Sequence, residues 1–300
     1  WMPEHTLQRQ SSLGYLLDMI PLSVPNLAGN EWQYVKDCLD TGWISSVGSY
    51  VTRFENAVAA FAGAKHGIAA VNGTAALHVA LMLSGVRPGD AVIVPNLTFV
   101  ASLNAIRHAS GEPIVIDVDA QSWQMDLDLL AEFLRSLRRG ADGALQFQGR
   151  RVAAIMPVHV LGSLCDMGRL MALAQEHGLV VVEDSTEALG SSYKGQHAGT
   201  FGAFGTFSFN GNKIISTGGG GVIVTDDPVL ATRAKHLTTT AKTSALEYVH
   251  DEVGYNYRLV NVLAAIGVAQ MEQLPGFLDR KRAIEQAYRS GLEGVGDVAF

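Results

Sequence analysis

The chain has 300 residues, 48% of them hydrophobic, and a formal net charge of -7. That length can bury a substantial core, as one large domain or a large one plus part of a second, while the negative balance argues against a general nucleic-acid binder, whose phosphate contacts need a basic surface. No stretch of about 18 residues without polar interruption offers a membrane span.

At the start of the chain, Glu4, His5, Gln8, Arg9 and Asp18 break up any apolar signal region, so residues 1–20 read as an extension and the default location is the cytoplasm. Cys38 and Cys165 lie far apart without metal-ligand spacing and read as free thiols. From there β-type apolar runs alternate with helical patterns. Strands are predicted at 67–71, 91–95, 113–118, 152–160, 179–183, 205–209 and 221–225, and helices at 74–84, 101–109, 126–138, 166–177 and 228–237. This rhythm predicts an α/β fold with a mostly parallel sheet covered by helices. Residues 138–151, rich in Gly, Arg and Gln, read as an exposed connection. From Asn261 the pattern turns helical, so 21–240 reads as a large domain and 241–300 as the start of a smaller C-terminal one.

Open α/β sheets place ligands beyond the carboxyl ends of their strands, and three such ends carry chemistry. After the first predicted strand, Asn72-Gly73-Thr74-Ala75-Ala76 is a glycine turn into a helix. Free N–H groups and the helix dipole there favour a phosphate, although such turns also serve as plain helix caps. The apolar run Val181-Val182 ends on Glu183-Asp184. A buried carboxylate is costly unless paired, and a protonated pyridine nitrogen suits Asp184, because protonation makes pyridoxal phosphate (PLP) an electron sink. A helix cap or an ordinary strand-end acid is the alternative. The third cluster is Ser208-Phe209-Asn210-Gly211-Asn212-Lys213, followed by Gly218-Gly219-Gly220-Gly221. Between residues 195 and 225 Lys213 is the only Lys, Arg, Asp or Glu. An ammonium among apolar and glycine residues is disfavoured, which leaves its amine available as the nucleophile that a Schiff-base lysine must be; a snorkelling surface lysine in a flexible loop is the alternative. Ser208 can offer a hydroxyl to the cofactor phosphate, and the glycines let the backbone come close to a ligand.

With Asn72 to Leu77, Pro95-Asn96-Leu97-Thr98-Phe99-Val100-Ala101, Glu183-Asp184, Ser208 to Lys213 and Gly254-Tyr255-Asn256-Tyr257-Arg258 in this order, the chain resembles the DegT/DnrJ/EryC1/StrS family of sugar aminotransferases. Gly42-Trp43-Ile44-Ser45-Ser46-Val47-Gly48 and residues 208–221 look closest to its LegC-like branch, which aminates UDP-linked 4-keto-6-deoxy-N-acetylhexosamines. The resemblance implies a type I PLP-dependent transferase fold and a homodimer with active sites shared between subunits. It implies an amino-acid donor, glutamate, and a nucleotide-sugar acceptor. Lys213 and Asp184 are then the catalytic pair. Gly73, Thr74, Ala75 and Ser208 hold the phosphate, and Phe99 stacks on the ring. Glu187 stands where many relatives carry Gln or His beside the phenolic oxygen, and Asn256 reaches the neighbouring subunit's cofactor. Relatives continue well past the point where this chain stops, so the small domain is expected to be incomplete.

Other residues carry less. His159 reads as a satisfied structural histidine. Trp43 shapes the substrate opening or belongs to the core. Asp251 and Glu252 read as a solvated loop, and Arg258 is a candidate for the diphosphate. Two other activities compete. A PLP-family sugar dehydratase or deoxygenase would carry histidine in place of Lys213. A nicotinamide-dependent Rossmann oxidoreductase would need a Gly-x-Gly-x-x-Gly turn after the first strand, which Asn72-Gly73-Thr74 does not supply.

Overall fold

The computed structural model describes residues 23–244 and 246–298; the extension predicted at 1–20 lies outside them. Two helices not predicted from the sequence come first: α1 (Glu31–Thr41) and α2 (Ser49–Ala62), which end on the left-handed glycines Gly42 and Gly63. Then follow β1 (His66–Ala70), α3 (Gly73–Leu83), β2 (Ala91–Pro95), α4 (Val100–His108), β3 (Glu112–Ile116) and α5 (Leu127–Ser136). Two short strands, β4 (Arg138–Arg139) and β5 (Leu145–Phe147), lead into β6 (Arg150–Ile155), α6 (Met167–His177) and β7 (Val180–Asp184). The small hairpin β8 (Ser192–Tyr193) and β9 (Gln196–His197), then β10 (Phe204–Ser208), β11 (Gly221–Thr225), α7 (Pro228–Thr238) and α8 (Asn261–Leu292) complete the order. Helix starts are chemically marked. The side chains of Asn72, Asp126, Asp166 and Asp227 each accept a first-turn N–H of α3, α5, α6 and α7.

The main sheet runs β1-β11-β10-β7-β6-β2-β3, with β4 and β5 appended beside β6. Pairing is parallel from β10 through β7, β6 and β2 to β3, while β11 is antiparallel to both of its neighbours. The expected mostly parallel α/β sheet is therefore present, with one reversed strand. Helices cover both faces, and strand parity shows it. Ile223 of β11 packs with Leu77, Leu81, Ile106 and Leu237 on one side, whereas Val222 and Val224 pack with Phe54, Val58 and Val268 on the other. A third apolar group joins Ile93, Ile155 and Val181 to Leu130, Leu134 and Leu170 of α5 and α6.

Three expectations are corrected. Residues 138–151 are not a plain connection, because β4 pairs with β5 and β5 with β6, both antiparallel. The strand predicted at 152–160 stops at Ile155. Pro157 follows and has no N–H to continue the ladder, so only an isolated bridge, Val158 with Asp184, remains. The strand predicted at 113–118 ends at Ile116, the last residue paired with β2; beyond it only an isolated bridge, Val118 with Met125, remains.

The long helix α8 buries residues from Asn261 to Leu274 and then, past Pro275, runs outward. Its buried part packs on α1 and α2. Gln270 and Gln273 donate to the buried Glu31, whose carboxyl these bonds hold below its usual range against the opposing effect of burial. Among the described residues no helix is long and apolar enough to cross a membrane. Cys38 and Cys165 are free and buried, and burial pushes the Cys165 thiol up to about 12.

Candidate active site

Glu183 and Asp184 end β7 side by side and face opposite ways, so they serve different ends. Glu183 is fully buried and saturated. Its Oε1 accepts the N–H groups of Phe201 and Gly202 at 2.6 and 2.8 Å, and its Oε2 accepts Gly199 N–H at 2.8 Å and His159 Nε2–H at 3.0 Å. These bonds repay the desolvation of a carboxylate and tie down the loop before β10. Asp184, also buried, accepts Ser102 Oγ at 2.6 Å on Oδ2 and Thr186 N–H at 3.2 Å on Oδ1. Thr98 Oγ1 lies 2.6 Å from Ser102 Oγ. Because Ser102 has a single hydroxyl proton and gives it to Asp184, it accepts from Thr98, whose own single proton also has Phe99 O within 3.1 Å. The next residue, Phe99, caps α4 and is 75% exposed, which leaves its ring free for a ligand.

Lys213 sits on the loop joining β10 to β11. Phe209 N–H bonds Gly220 O, Thr217 N–H bonds Phe209 O and Lys213 N–H bonds Asn210 O, so the loop is closed at its base and turned tightly at the lysine. Lys213 Nζ is 3.3 Å from Glu187 Oε1 and its side chain is 16% exposed. The amine thus has a counter-charge that its uncharged sequence neighbours do not hint at. The other oxygen of Glu187 accepts Leu161 N–H at 2.9 Å.

The phosphate cradle predicted at Gly73 is built from both sides. A Cβ on Gly73 would stand 2.9 Å from Ser208 Cβ, 3.2 Å from Thr186 Cγ2 and 3.3 Å from Ser208 Oγ, and a Cβ on Gly221 would strike the Asn72 carbonyl at 2.5 Å. Two glycines therefore let the start of α3 close on Ser208. The N–H groups of Gly73 and Thr74 have no partner among the described residues, whereas Ala75 N–H is taken by Asn72 Oδ1 at 2.8 Å. Gly73 and Thr74 are the amides left for an anion, with the helix dipole behind them. The residues fit PLP: two open amides and a hydroxyl for its phosphate, a buried carboxylate for its ring nitrogen, an exposed aromatic ring and an amine.

Asn256 is exposed and, among the described residues, has no hydrogen bond to this group. It forms an isolated bridge with Thr239, and its neighbours anchor it, since Val71 N–H bonds Tyr257 O at 2.7 Å and Thr240 N–H bonds Tyr255 O at 3.0 Å. The Tyr255 and Tyr257 rings stack at 4.9 Å and both lean on the buried His78 of α3, with centroids 5.0 and 5.9 Å away. Burial and the nearby His108 push His78 down to about 4.

Several minor expectations change. Arg258 is not available to a diphosphate, because Nη1 pairs with the buried Glu55 at 3.2 Å and Nε donates to Ser46 O. His159 is only half satisfied, for Nε2 bonds Glu183 while the buried Nδ1 has no partner. Trp43 is 55% exposed and so not core. Asp251 and Glu252 do lie exposed in the irregular stretch before Gly254, as expected, and there they pair with His236 at 2.7 Å and with Arg233 respectively, partners that hold both carboxyls below their usual range. Ser102 and Leu161 were not singled out from the sequence. Thr98 and Ser102, four apart at a helix start, were the available signal for the first; nothing local marks the second.

A model of the DegT/DnrJ/EryC1/StrS aminotransferase family matches residues 25–300. GDP-perosamine synthase of Escherichia coli O157:H7 is 42% identical over 279 residues, which are 93% of this chain and 73% of that protein. GDP-perosamine synthase of Caulobacter vibrioides is 41% identical over 281 residues, 94% of this chain and 72% of that one. Among solved structures, the PLP form of a Streptococcus pneumoniae protein superposes with a TM-score of 0.81 at 29% identity, covering 92% of this chain and 72% of its own.

Proposed function

The chain belongs to the DegT/DnrJ/EryC1/StrS aminotransferase family and is a PLP-dependent aminotransferase, and from that premise we propose that it moves an amino group from glutamate to the 4-keto carbon of a nucleotide-linked 4-keto-6-deoxy sugar. The observation that carries this reading is the Lys213 amine held by Glu187, in a chain that also builds the Gly73–Ser208 cradle and a buried Asp184. The nucleotide we favour is GDP rather than the UDP of the LegC-like branch, because two curated relatives at 42% and 41% identity are named GDP-perosamine synthases.

Bound PLP supplies a protonated ring that draws electrons from the carbon attached to the transferred nitrogen. The chain's own residues do the rest. Asp184, oriented by Ser102, would keep the proton on the ring nitrogen. Gly73 and Thr74 N–H groups and the Ser208 hydroxyl would hold the phosphate, and Phe99 would lie against the ring. Lys213 would take the proton from the donor's α-carbon as general base and release it again as general acid. Glu187 steadies the ammonium between these two tasks. A dehydratase or deoxygenase is disfavoured by Lys213 itself. Asn256, exposed and without a hydrogen bond to this group among the described residues, fits a homodimer in which each chain lends it to the other. The exposed half of α8 fits the start of a smaller domain, and the cytoplasm, where nucleotide sugars are made, fits the substrate.

Purified chain mixed with PLP should develop a visible absorbance band that Lys213→Ala lacks. With glutamate, wild-type chain should aminate a GDP-linked 4-keto-6-deoxyhexose in preference to a UDP-linked 4-keto-6-deoxy-N-acetylhexosamine, read by product mass. A band that survives Lys213→Ala sinks the lysine assignment, and preference for the UDP sugar restores the LegC-like reading.

A further inference from the structure

The turn after β6 holds a side chain that none of the roles above uses. Leu161 has φ 55° and ψ 20°, and Gly162 after it has φ 82°. A bulky L-residue rarely occupies that left-handed region. Its side chain gains nothing from packing, being 74% exposed. The turn is held by polar bonds instead. Gly162 N–H bonds His159 O at 3.1 Å, Ser163 N–H bonds Val160 O at 3.1 Å, and Leu161 N–H donates to Glu187 Oε2 at 2.9 Å. The other oxygen of the same carboxylate lies 3.3 Å from Lys213 Nζ. One carboxylate therefore sets the separation between an exposed leucine and the amine that handles the proton. Trp123 is also left-handed and exposed, at φ 60°, but no hydrogen bond ties it to Lys213 or its partners. Backbone outliers that the surroundings hold in place concentrate at ligand sites.

We propose that Leu161 is a specificity-determining residue, the apolar wall that meets the C6 methyl of the amino acceptor while the C4 carbonyl lies at Lys213. The inference rests on the 4-keto-6-deoxy reading above. In such a sugar the C6 methyl is the one wholly apolar group, and it is two bonds from C4. Glu187 holds the backbone N–H of Leu161 and the amine of Lys213 on its two oxygens, which keeps this exposed apolar side chain in the neighbourhood of the amine, within reach of a group two bonds from C4. A hydroxyl at C6 would be left against Leu161 without a partner, which is how an apolar wall excludes it. One methyl group in an apolar pocket gives roughly 10- to 200-fold discrimination.

Leu161→Asn and Leu161→Ala test this, with Leu161→Met as the conservative variant. Asparagine accepts left-handed backbone, so Leu161→Asn should match or exceed the wild-type melting temperature. Its KM for the GDP-linked 4-keto-6-deoxyhexose should rise about 10-fold or more, as should that of Leu161→Ala, while Leu161→Met stays near wild type. The rate at which glutamate alone bleaches the visible band should not change in any of them. Acceptor KM equal to wild type in both the Asn and Ala variants overturns the proposal. So does an equal slowing of the glutamate reaction, which would mean general damage to the site, or a change in sedimentation at unchanged acceptor KM, which would make Leu161 a subunit contact. If wild-type chain aminates no 4-keto-6-deoxy nucleotide sugar, the substrate reading fails first and takes this inference with it.

Discussion

Ser102 Oγ stands 2.6 Å from Asp184 Oδ2 although 82 positions separate them, one riding α4 and the other ending β7. Thr98 donates to Ser102 from behind, so the carboxylate is aimed by a two-hydroxyl relay. A hydrogen bond to a charged group is worth about 1.5–3 kcal/mol. Ser102→Ala should therefore lower turnover roughly 10-fold or more, with a smaller loss of PLP affinity. Steady-state kinetics and a PLP titration check it, and an unchanged kcat would show that Asp184 needs no orienting partner.

The two neighbouring acids should separate cleanly on mutation. Glu183→Gln removes a fully buried charge that four donors face, and Gln turns one acceptor into a donor against them. The expected cost is about 3–5 kcal/mol of stability, by analogy with breaking a buried pair, read by urea unfolding. Asp184→Asn should leave the unfolding midpoint close to wild type and cut turnover by roughly 10²- to 10⁴-fold.

Gly73→Ala puts a methyl group 2.9 Å from Ser208 Cβ. The Asn72 cap on Ala75 N–H stays in place, and alanine is the better helix former, so the fold should persist while the cradle closes. PLP affinity is expected to fall at least about 10-fold, the equivalent of one lost charge-assisted hydrogen bond, and inorganic phosphate should protect the variant less than wild type against thermal unfolding.

His78 gives the chain an acid-side liability. Its pKa is about 4 when folded, against the ordinary 6.5. Between those values the unfolded chain binds a proton that the folded chain refuses. Stability is therefore untouched above about pH 6.5, falls as the pH drops toward 4, and is lower there by about 3 kcal/mol. His78→Gln should flatten that part of the curve in urea titrations at pH 7 and pH 5. The same slope in both proteins would place the titration elsewhere.

The α/β alternation, the Lys213 loop and the Gly73 turn were all legible from the sequence because each is written locally: apolar period, a lone charge in 31 residues, a glycine at a helix start. What could not be read depends on residues far apart. Nothing around Glu183-Asp184 says which acid is walled in by residues 199–202 and which faces Ser102. The Glu187 to Lys213 pair spans 26 positions, and Arg258 looked free only because its partner Glu55 lies 203 positions away. Helices α1 and α2 were missed because their buried faces are answered by α8, at the other end of the described chain.

The reversed strand β11 has a kinetic consequence. Ser208 pairs with Gly221 across a short hairpin, so the loop bearing Lys213 needs only local closure. Asp184 enters the sheet through parallel pairings, β7 with β6 and with β10, that require crossover connections, and non-local pairing is slow. Lys213 is therefore expected to be placed early in refolding and Asp184, the acid for the ring nitrogen, late. Capacity to bind PLP should therefore return with the slowest refolding phase, and a stopped-flow comparison of PLP absorbance with far-UV dichroism will order the two events.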